Sequence, residues 1–523
     1  MEAEHAVAVV DLLLTVGYID GRLEAQEQAF IRSYLDQLVD HFGGAPELRT
    51  QIDEAYAKLD AEIAVLAAEI TASGDDKFKS SRLKARAIAL FHGFSPADQK
   101  VALALLESVV QTDGTIAPEE RALHDELRAY FDADATLVPP PPQTPPADLL
   151  RIEAPQTLAL GATRSHPLLD AIEQPYATDP ATLHAQLASD YSLIFGAITA
   201  WERKRSLGNG RLVGVNHVHD LAPGTRLLDG HVHVLRPEHP TELIVLGDLH
   251  GCYACFKAAL VQSNFIERAL HHQHDPSQPD VKLVLLGDYL DRGRFAFEGV
   301  LRAALQLLIN LPDHVYVLRG NHEFLVRANG TIMSAVNPAE AVPGIVDRVP
   351  LELLEAYRHL FEHMPTSLLF DRTLFVHGGI PREDTLADRY RDLSSLDDSV
   401  IRFEMMWGDP LPVDRVAVSL QRESPRYGFG REQFRVFMDR IGAHTLIRGH
   451  EAVELGFVTN YDLGHCRLHT LFSAGGHDNS DLPPDSRYRS VTPMALTIVN
   501  GVAMPWRIEY ETFDDAAHNG HYR

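Results

Sequence analysis

ELIVLGDLHG, at Glu242–Gly251, is an apolar run that ends in a carboxylate and an imidazole, Asp248 and His250, with glycine on both sides. An apolar strand that delivers such side chains to its carboxyl end is typical of ligand sites at the edge of a parallel sheet. The next two apolar runs end in the same way, in VKLVLLGDYLDRG at 281–293 and HVYVLRGNHE at 314–323. The sequence therefore predicts several strands that bring polar side chains to one sheet edge.

Five polar clusters follow the predicted strands, and they supply oxygen and imidazole nitrogen but no thiolate. The clusters are Asp248-x-His250, Asp288-x-x-Asp291-Arg292, Asn321-His322-Glu323, His377-Gly378-Gly379 and Arg448-Gly449-His450. Such ligands suit hard or borderline cations such as manganese, iron or zinc. Two cations about 3.5–4 Å apart and bridged by one carboxylate can activate a water and hold the oxygens of a phosphoryl group.

The motifs GDLHG, GDYLDRG, GNHE, HGG and RGH occur in this order and together resemble the motif set of the phosphoprotein phosphatase family of metal-dependent serine/threonine phosphatases. The similarity extends from about Leu243 to His477. It implies a calcineurin-like metallophosphoesterase sandwich with α/β/β/α layers. It also implies hydrolysis of phosphoproteins by in-line attack of a hydroxide that bridges two metals.

The resemblance further implies a role for each motif residue. Asp248 and His250 hold the first metal, Asp288 bridges, and Asn321, His377 and His450 complete the second. His322 is the general acid, Asp291 orients it, and the phosphate ligands are Arg292, Asn321 and Arg426, the last from ESPRYGFG at 423–430. Because an alkoxide is a poor leaving group, a positioned imidazolium should speed its departure by about 10²–10⁴. The expected cofactors are two divalent ions, manganese or else iron or zinc.

The sequence departs from the family pattern after Leu471-Phe472-Ser473-Ala474. Gly475–Asn479, GGHDN, stands where the family has asparagine, tyrosine and cysteine. The loop that would overhang the site therefore lacks its tyrosine, which bears on substrate preference and leaves the metal ligands intact.

The first quarter of the chain has a helical pattern, from residue 3 to about 132. Val9, Leu12, Leu13 and Val16 form one apolar stripe at helical spacing. Two acidic Asp-Gly turns, in 17–27 and 111–120, form a weak repeat that resembles the TerB-like domain of tellurite-resistance proteins. Helix capping explains each turn, and a bound cation or other ligand between them is the functional alternative.

The expected organisation is multi-domain. It comprises an all-helical TerB-like bundle at 1–135, a proline-rich linker at 136–150 that contains PPPPQTPP, a lead-in region at 151–240, and a catalytic domain at 241–510. The lead-in is predicted to contain a helix at 180–205 and two strands, Arg211–His219 and Arg226–Leu235. Later strand-like runs at 444–448, 455–459, 467–472 and 494–499 predict a second sheet.

Composition excludes some function classes. The formal net charge of −26 over 523 residues argues against a nucleic-acid partner, which requires a basic face. No apolar run approaches the ~18 residues of a membrane span, and the first residues lack a basic leader. With three cysteines and no disulfide framework, the sequence predicts a cytoplasmic protein.

Two other functions are compatible with these features. A related branch of the same family hydrolyses dinucleoside polyphosphates of the diadenosine tetraphosphate type and shares the metal motifs. A scaffold without catalysis would use the helical domain for an unidentified ligand or partner. Because every catalytic candidate lies beyond the proline-rich stretch, we expect the first 130 residues to be dispensable for hydrolysis of a small phosphate ester.

Overall fold

The computed structural model describes most of the chain. The described residues are 3–19, 23, 25–41, 46–73, 76–92, 94, 96–110, 121, 123–124, 127–128, 145–146 and 148–523 except 329. The acidic turn at 111–120 and most of the proline-rich stretch lie outside them. Within the described part, no helix combines the length and apolarity needed to cross a membrane.

The N-terminal region is helical, as predicted. Its helices are Ala3–Gly17, Ala25–His41, Pro46–Ser73, Asp76–His92 and Pro96–Val110. The predicted stripe forms the centre of their core, with Leu12 and Leu13 fully buried and Val9 and Val16 nearly so. Stripes of this kind stabilise short helices mainly by burying apolar surface against one another. The resemblance to a TerB-like domain stays a prediction.

The C-terminal region contains two larger sheets. The first has the spatial order Arg151–Ile152, Val502–Arg507, Met494–Val499, Thr241–Leu246, Asp280–Leu285 and Val315–Val317. The second has the order Phe457–Asp462, Arg467–Leu471, Thr445–Arg448, Thr373–Val376, Ser367–Phe370, Val232–Leu235 and Arg226–Asp229. The predicted second sheet is therefore present, except that the run at 494–499 joins the first sheet, antiparallel to Thr241–Leu246.

The two sheets share one apolar core. Leu243 and Val245 of the first sheet lie in a cluster with Phe375 and Ile447 of the second. The alternate residues Ile244 and Leu246 lie in a different cluster, with the helices on the other face of the first sheet. Side chains alternate along the strand, and both faces of the strand are buried. This explains why the run LIVL at 243–246 is apolar throughout.

Helices and smaller strands complete the C-terminal region. The helices are Pro167–Asp170, Pro180–Gly208, Tyr253–Gln262, Phe265–His274, Arg302–Asn310, Ala341–Ile345, Leu351–His363, Glu383–Arg389, Ser399–Met405 and Arg431–Ile441. Leu325–Ala328 and Thr331–Ser334 form a small hairpin. The helix Pro180–Gly208 agrees with the helix predicted at 180–205.

The predicted strand at Arg211–His219 is wrong. This stretch consists of turns followed by a short 3₁₀ helix at Val218–Asp220. The carboxylate of Asp229 accepts hydrogen bonds from the backbone N–H groups of Gly210 and Leu212, at 2.9 and 2.8 Å. The turn is closed by this buried carboxylate, a contact across the fold that local alternation of residues does not reveal. The predicted strand at Arg226–Leu235 is a hairpin on the edge of the second sheet.

The chain divides into two compact units. Their boundaries differ from the domain boundaries predicted from the sequence. One unit comprises 1–142 and 410–433, and the other comprises 143–409 and 434–523. The region at 151–240 belongs to the second unit and supplies edge strands to both sheets. A segment from within the predicted catalytic range therefore belongs to the N-terminal unit.

The segment 410–433 is part of the helical core. Leu411, Val413, Val416 and Leu420 are buried in the same cluster as the side chains of the N-terminal helices. Nearby, the ammonium of Lys84 lies 3.3 Å from the carboxylate of Glu423, and the Lys84 side chain is only 8% exposed. The helical region and this segment therefore form one folding unit.

Deleting residues 1–140 should expose these four apolar side chains, because the helices cover them. We expect the deletion product to bind more of a hydrophobic dye than the full chain does, and to unfold at a lower temperature. Replacing Leu411, Val413, Val416 and Leu420 by serine in the deletion product should remove the extra dye binding. Equal dye binding by the deletion product and the full chain would contradict the shared core. That the first 130 residues are dispensable for hydrolysis stays a prediction.

Candidate active site

The first group of candidate ligands follows two neighbouring strands of the first sheet. Leu246 pairs with Leu285 in parallel register, so the residues that follow each strand meet at the same edge. The Nε2 atom of His250 lies 3.6 Å from Oδ2 of Asp248 and 3.5 Å from Oδ2 of Asp288. All three side chains are almost completely buried. Two carboxylates and an imidazole nitrogen therefore point at one small volume.

The second group combines residues from both sheets. Nε2 of His377 lies 2.8 Å from Oδ1 of Asn321, 3.1 Å from Nδ1 of His450 and 3.3 Å from Oδ1 of Asp288. Nδ1 of His450 lies 2.9 Å from the same Asn321 oxygen. His377 and His450 follow two parallel strands of the second sheet, Thr373–Val376 and Thr445–Arg448. Four donor atoms converge there, and the two oxygens of Asp288 belong to different groups.

The described residues fit two divalent cations. Donor atoms about 3 Å apart are what a cation with bonds of about 2.0–2.2 Å gathers around itself. Oδ2 of Asp248 is buried and has no hydrogen-bond partner among the described residues, which is costly unless a cation occupies the position next to it. The donors are oxygen and imidazole nitrogen, a set that suits manganese, iron or zinc.

Backbone carbonyls fix the orientation of two imidazoles. Nδ1 of His250 lies 2.8 Å from the carbonyl of Leu290, and Nδ1 of His377 lies 3.1 Å from that of Leu286. When the Nδ1–H of an imidazole donates to a backbone carbonyl, Nε2 carries the lone pair, which then faces the group of candidate ligands. Each of these histidines follows an apolar strand, Thr241–Leu246 or Thr373–Val376, which is the pattern on which their prediction rests.

Positive φ angles of residues other than glycine are concentrated in the turns that carry the site. They occur at His250, Asp288, Asp291, Arg292 and His450, between 44° and 71°. Residues other than glycine adopt this region only when the surrounding structure imposes it, and such strain clusters at functional sites. The turns are thus held in a defined geometry rather than being relaxed loops.

Glu323 provides much of the constraint on these turns. Its fully buried carboxylate accepts hydrogen bonds from the backbone N–H groups of Asp288, Tyr289, Leu290 and Gly320, at 2.8 to 3.2 Å. One side chain thereby ties the GDYLD turn to the GNHE turn. This explains why the motif ends in glutamate, although Glu323 is not itself a ligand.

His322 and Asp291 form a buried pair beside the ligands. Nδ1 of His322 lies 2.6 Å from Oδ2 of Asp291, and Nε2 lies 3.8 Å from Oδ2 of Asp288. Burial acts to lower the pKa of His322, but the negative charges of Asp288 and Asp291 outweigh it and hold this pKa above its usual value. Burial acts to raise the pKa of Asp291, and the hydrogen bond from His322 makes the net shift downward. The pair therefore favours an imidazolium next to a carboxylate.

The two predicted phosphate arginines have different environments. Arg292 lies in the C-terminal unit, and its positive charge acts on the pKa of His322, which places the guanidinium within electrostatic range of the pair. Its Nη1 donates to Oε1 of Glu340 at 2.9 Å. Arg426 belongs to the segment 410–433 of the N-terminal unit. The role of Arg426 with phosphate stays a prediction.

Tyr488 is a site residue that sequence reasoning missed. Its ring is stacked on that of His250 with centroids 5.2 Å apart, and its hydroxyl lies 3.5 Å from Nε2 of that histidine. Gly475–Asn479 contains no tyrosine, as the sequence shows, whereas Tyr488 follows later along the same loop. Its presence beside His250 depends on the path of that loop, which carries no recognisable motif.

The altered loop at Gly475–Asn479 packs inward. The side-chain amide of Asn479 donates to the carbonyl of Gly475 at 2.7 Å and to Sγ of Cys252 at 3.0 Å. Cys252 and Cys255 are fully buried, and Cys252 immediately precedes the helix Tyr253–Gln262. Cys252 and Cys255 therefore pack in the core at the start of this helix.

Two groups of oxygen and nitrogen donors share one carboxylate, and an imidazole–carboxylate pair lies beside them. Such an arrangement is suited to hydrolysis assisted by two cations. Residues 241–454 match the family model described as calcineurin-like phosphoesterase, and this part of the chain is a calcineurin-like phosphoesterase domain. The expected family resemblance and the α/β sandwich are thereby confirmed.

Several proteins that this chain resembles are named as serine/threonine-protein phosphatases. A probable serine/threonine-protein phosphatase of Encephalitozoon cuniculi is 26% identical over 297 residues, which cover 54% of this chain and 58% of that protein. Serine/threonine-protein phosphatase T of Schizosaccharomyces pombe is 27% identical over 46% of each chain. A solved protein serine/threonine phosphatase from Saccharomyces cerevisiae is 16% identical with a TM-score of 0.39, covering 61% of this chain and 88% of that one. The chain spans about half the length of the curated relatives it matches.

Replacing Asp291 by asparagine should shift the pH dependence of hydrolysis. The negative charge of Asp291 raises the pKa of His322, so its removal lowers that pKa. A general acid acts below its pKa, and the alkaline limb of the kcat profile should therefore move to lower pH, by about one unit or more. Asp397→Asn is the matched control, because it alters another aspartate–histidine pair. In that pair, Nδ1 of His231 lies 2.8 Å from Oδ1 of Asp397. An alkaline limb that does not move in Asp291→Asn would contradict the assignment.

Proposed function

We propose that this protein is a metal-dependent phosphomonoesterase that removes phosphate from serine or threonine in phosphoproteins. The observation that carries the proposal is the bridging position of Asp288, with each carboxylate oxygen in a different ligand group and the His322–Asp291 pair next to it. The named serine/threonine phosphatases among the relatives support the substrate class.

Each group in the site has a part in this reaction. Asp248, His250 and Asp288 would hold one cation, and Asp288, Asn321, His377 and His450 the other. The cations, which we propose to be manganese, supply Lewis acidity towards water and the phosphoryl oxygens. The protonated His322 donates its Nε2 proton to the leaving alkoxide. Asp291 stabilises the imidazolium and fixes its orientation through the 2.6 Å hydrogen bond.

The guanidinium of Arg292 is suited to the equatorial oxygens of the phosphoryl group. Arginine offers two parallel donors, and charge that develops on the transferred group is stabilised by such fixed donors. We propose that the hydroxyl of Tyr488 donates to a phosphate oxygen next to His250. The role of Arg426 with phosphate stays a prediction from the sequence. The ligand or partner of the helical region stays unidentified.

Hydrolysis of p-nitrophenyl phosphate should require a divalent cation and the site residues. We expect wild-type activity with manganese and loss of it with a chelator. His322→Ala should decrease kcat by about 10²–10⁴ for a phosphoserine peptide, since the acid that protonates a poor leaving group is removed, and by less for p-nitrophenyl phosphate, whose phenolate leaves readily. Asp288→Asn should abolish activity, because it weakens both ligand groups. His271→Ala, on the exposed end of the helix Phe265–His274, is the control and should leave turnover unchanged.

A substrate panel separates the proposal from its alternatives. A phosphoserine or phosphothreonine peptide should be hydrolysed faster than diadenosine tetraphosphate. Faster turnover of the dinucleotide would overturn the substrate class. A folded chain with no activity under any divalent cation would favour a scaffold.

A further inference from the structure

The carboxylate of Glu340 is bound to the guanidinium that should receive the substrate phosphate. Nη1 of Arg292 donates to Oε1 of Glu340 at 2.9 Å, and the backbone N–H of Arg292 points at Oε2 at 3.3 Å. The Arg292 side chain is 21% exposed and that of Glu340 is 50% exposed. The pair is therefore at the mouth of the site, where a carboxylate can leave the arginine without being buried elsewhere.

The backbone of the same residue contacts the catalytic pair. The N–H groups of Glu340 and Ala341 donate to Oδ1 of Asp291 at 2.8 and 2.7 Å, while Oδ2 of Asp291 is bound to His322. The backbone at Glu340 thus fixes the orienting carboxylate, and its side chain occupies the neighbouring arginine. Only the second contact depends on the negative charge of the side chain, so a substitution by glutamine separates the two.

We propose that Glu340 is a specificity-determining residue: its carboxylate occupies the position on Arg292 that the substrate phosphate takes, and it is displaced when the substrate binds. The inference rests on the proposed function of the site. A carboxylate and a phosphate compete for one guanidinium because both present two oxygens to the same fork of donors.

The displaced carboxylate also selects among substrates. Once phosphate holds Arg292, the negative charge of Glu340 remains next to the bound phosphoryl group and faces solvent. It repels an acidic side chain that flanks the phosphorylated residue and attracts a basic one. The favoured substrate class is therefore a phosphopeptide with lysine or arginine next to its phosphoserine or phosphothreonine.

Glu340→Gln tests the competition directly. The variant keeps the backbone N–H on Asp291 and removes only the competing charge. The KM for p-nitrophenyl phosphate should fall about three- to tenfold with kcat within about twofold, because half-exposed ion pairs are of modest strength. Calorimetry with inorganic phosphate on the manganese-loaded protein should show a tighter Kd by the same factor. Glu511→Gln is the control, since Glu511 is 49% exposed and paired with Arg507.

Two other results of this experiment would overturn the proposal. An increased KM and weaker phosphate binding would mean that Glu340 orients Arg292 for the phosphate rather than competing with it. An unchanged KM and Kd would mean that the pair in the free protein has no bearing on phosphate binding.

The flanking preference is tested with two phosphoserine peptides that differ only in arginine or glutamate next to the phosphorylated residue. The wild type should favour the arginine peptide in kcat/KM, and Glu340→Gln should bring the ratio closer to one. A ratio that is the same in both proteins would refute the selection by Glu340. If wild type hydrolyses neither peptide nor p-nitrophenyl phosphate, the proposed function fails, while the phosphate calorimetry still reports on the competition for Arg292.

Discussion

The position of Asp288 is the constraint on which the site depends. Its two oxygens lie in different donor groups, so any change in the direction of this carboxylate disturbs both. Three features fix that direction: the parallel register of the strands, a positive φ of 54° at Asp288 itself, and the hydrogen bond from its N–H to Glu323. A strained backbone held by a buried carboxylate therefore fixes the direction of the Asp288 side chain.

The fold supplies the remaining ligands through one topological rule. Parallel strands present their carboxyl ends at a common edge, and the two sheets contribute separate sets of residues to it. The first sheet provides Asp248, His250 and Asn321, and the second provides His377 and His450. Because the candidate site draws residues from two sheets that share a core, the packing of that core holds it, rather than a single loop.

The sequence predicts the parts of this arrangement that are encoded locally. An apolar run followed by Asp-x-His or Asn-His indicates both a strand and the polar side chains at its end. The candidate ligands from Asp248 to His450 and the candidate acid His322 are predicted in this way. Contacts that depend on the path of the chain are not readable in this way. Tyr488 reaches His250 from a loop without a motif, and Glu340 reaches Arg292 from the irregular segment between the strand Thr331–Ser334 and the helix Ala341–Ile345.

Two misplaced elements have the same physical origin. The strand predicted at 211–219 is a turn because Asp229, distant in sequence, satisfies its backbone N–H groups. Segment 410–433 lies within the predicted catalytic range of 241–510, yet Leu411 and Leu420 are buried with the N-terminal helices. Local pattern identifies apolar side chains, whereas their partners are set by tertiary packing. The surroundings of Arg426 therefore depend on tertiary packing rather than on the local pattern from which its role was predicted.

The most direct test of the account is the number of metal ions that the purified chain holds. The two donor groups around Asp288 should bind two divalent cations per chain after reconstitution with manganese and removal of the excess, as measured by elemental analysis and native mass spectrometry. Asp288→Asn should retain fewer than one ion, since both groups lose an anionic oxygen. Binding of a single ion by the wild type, or an unchanged pair of ions in Asp288→Asn, would contradict a bridged two-metal site.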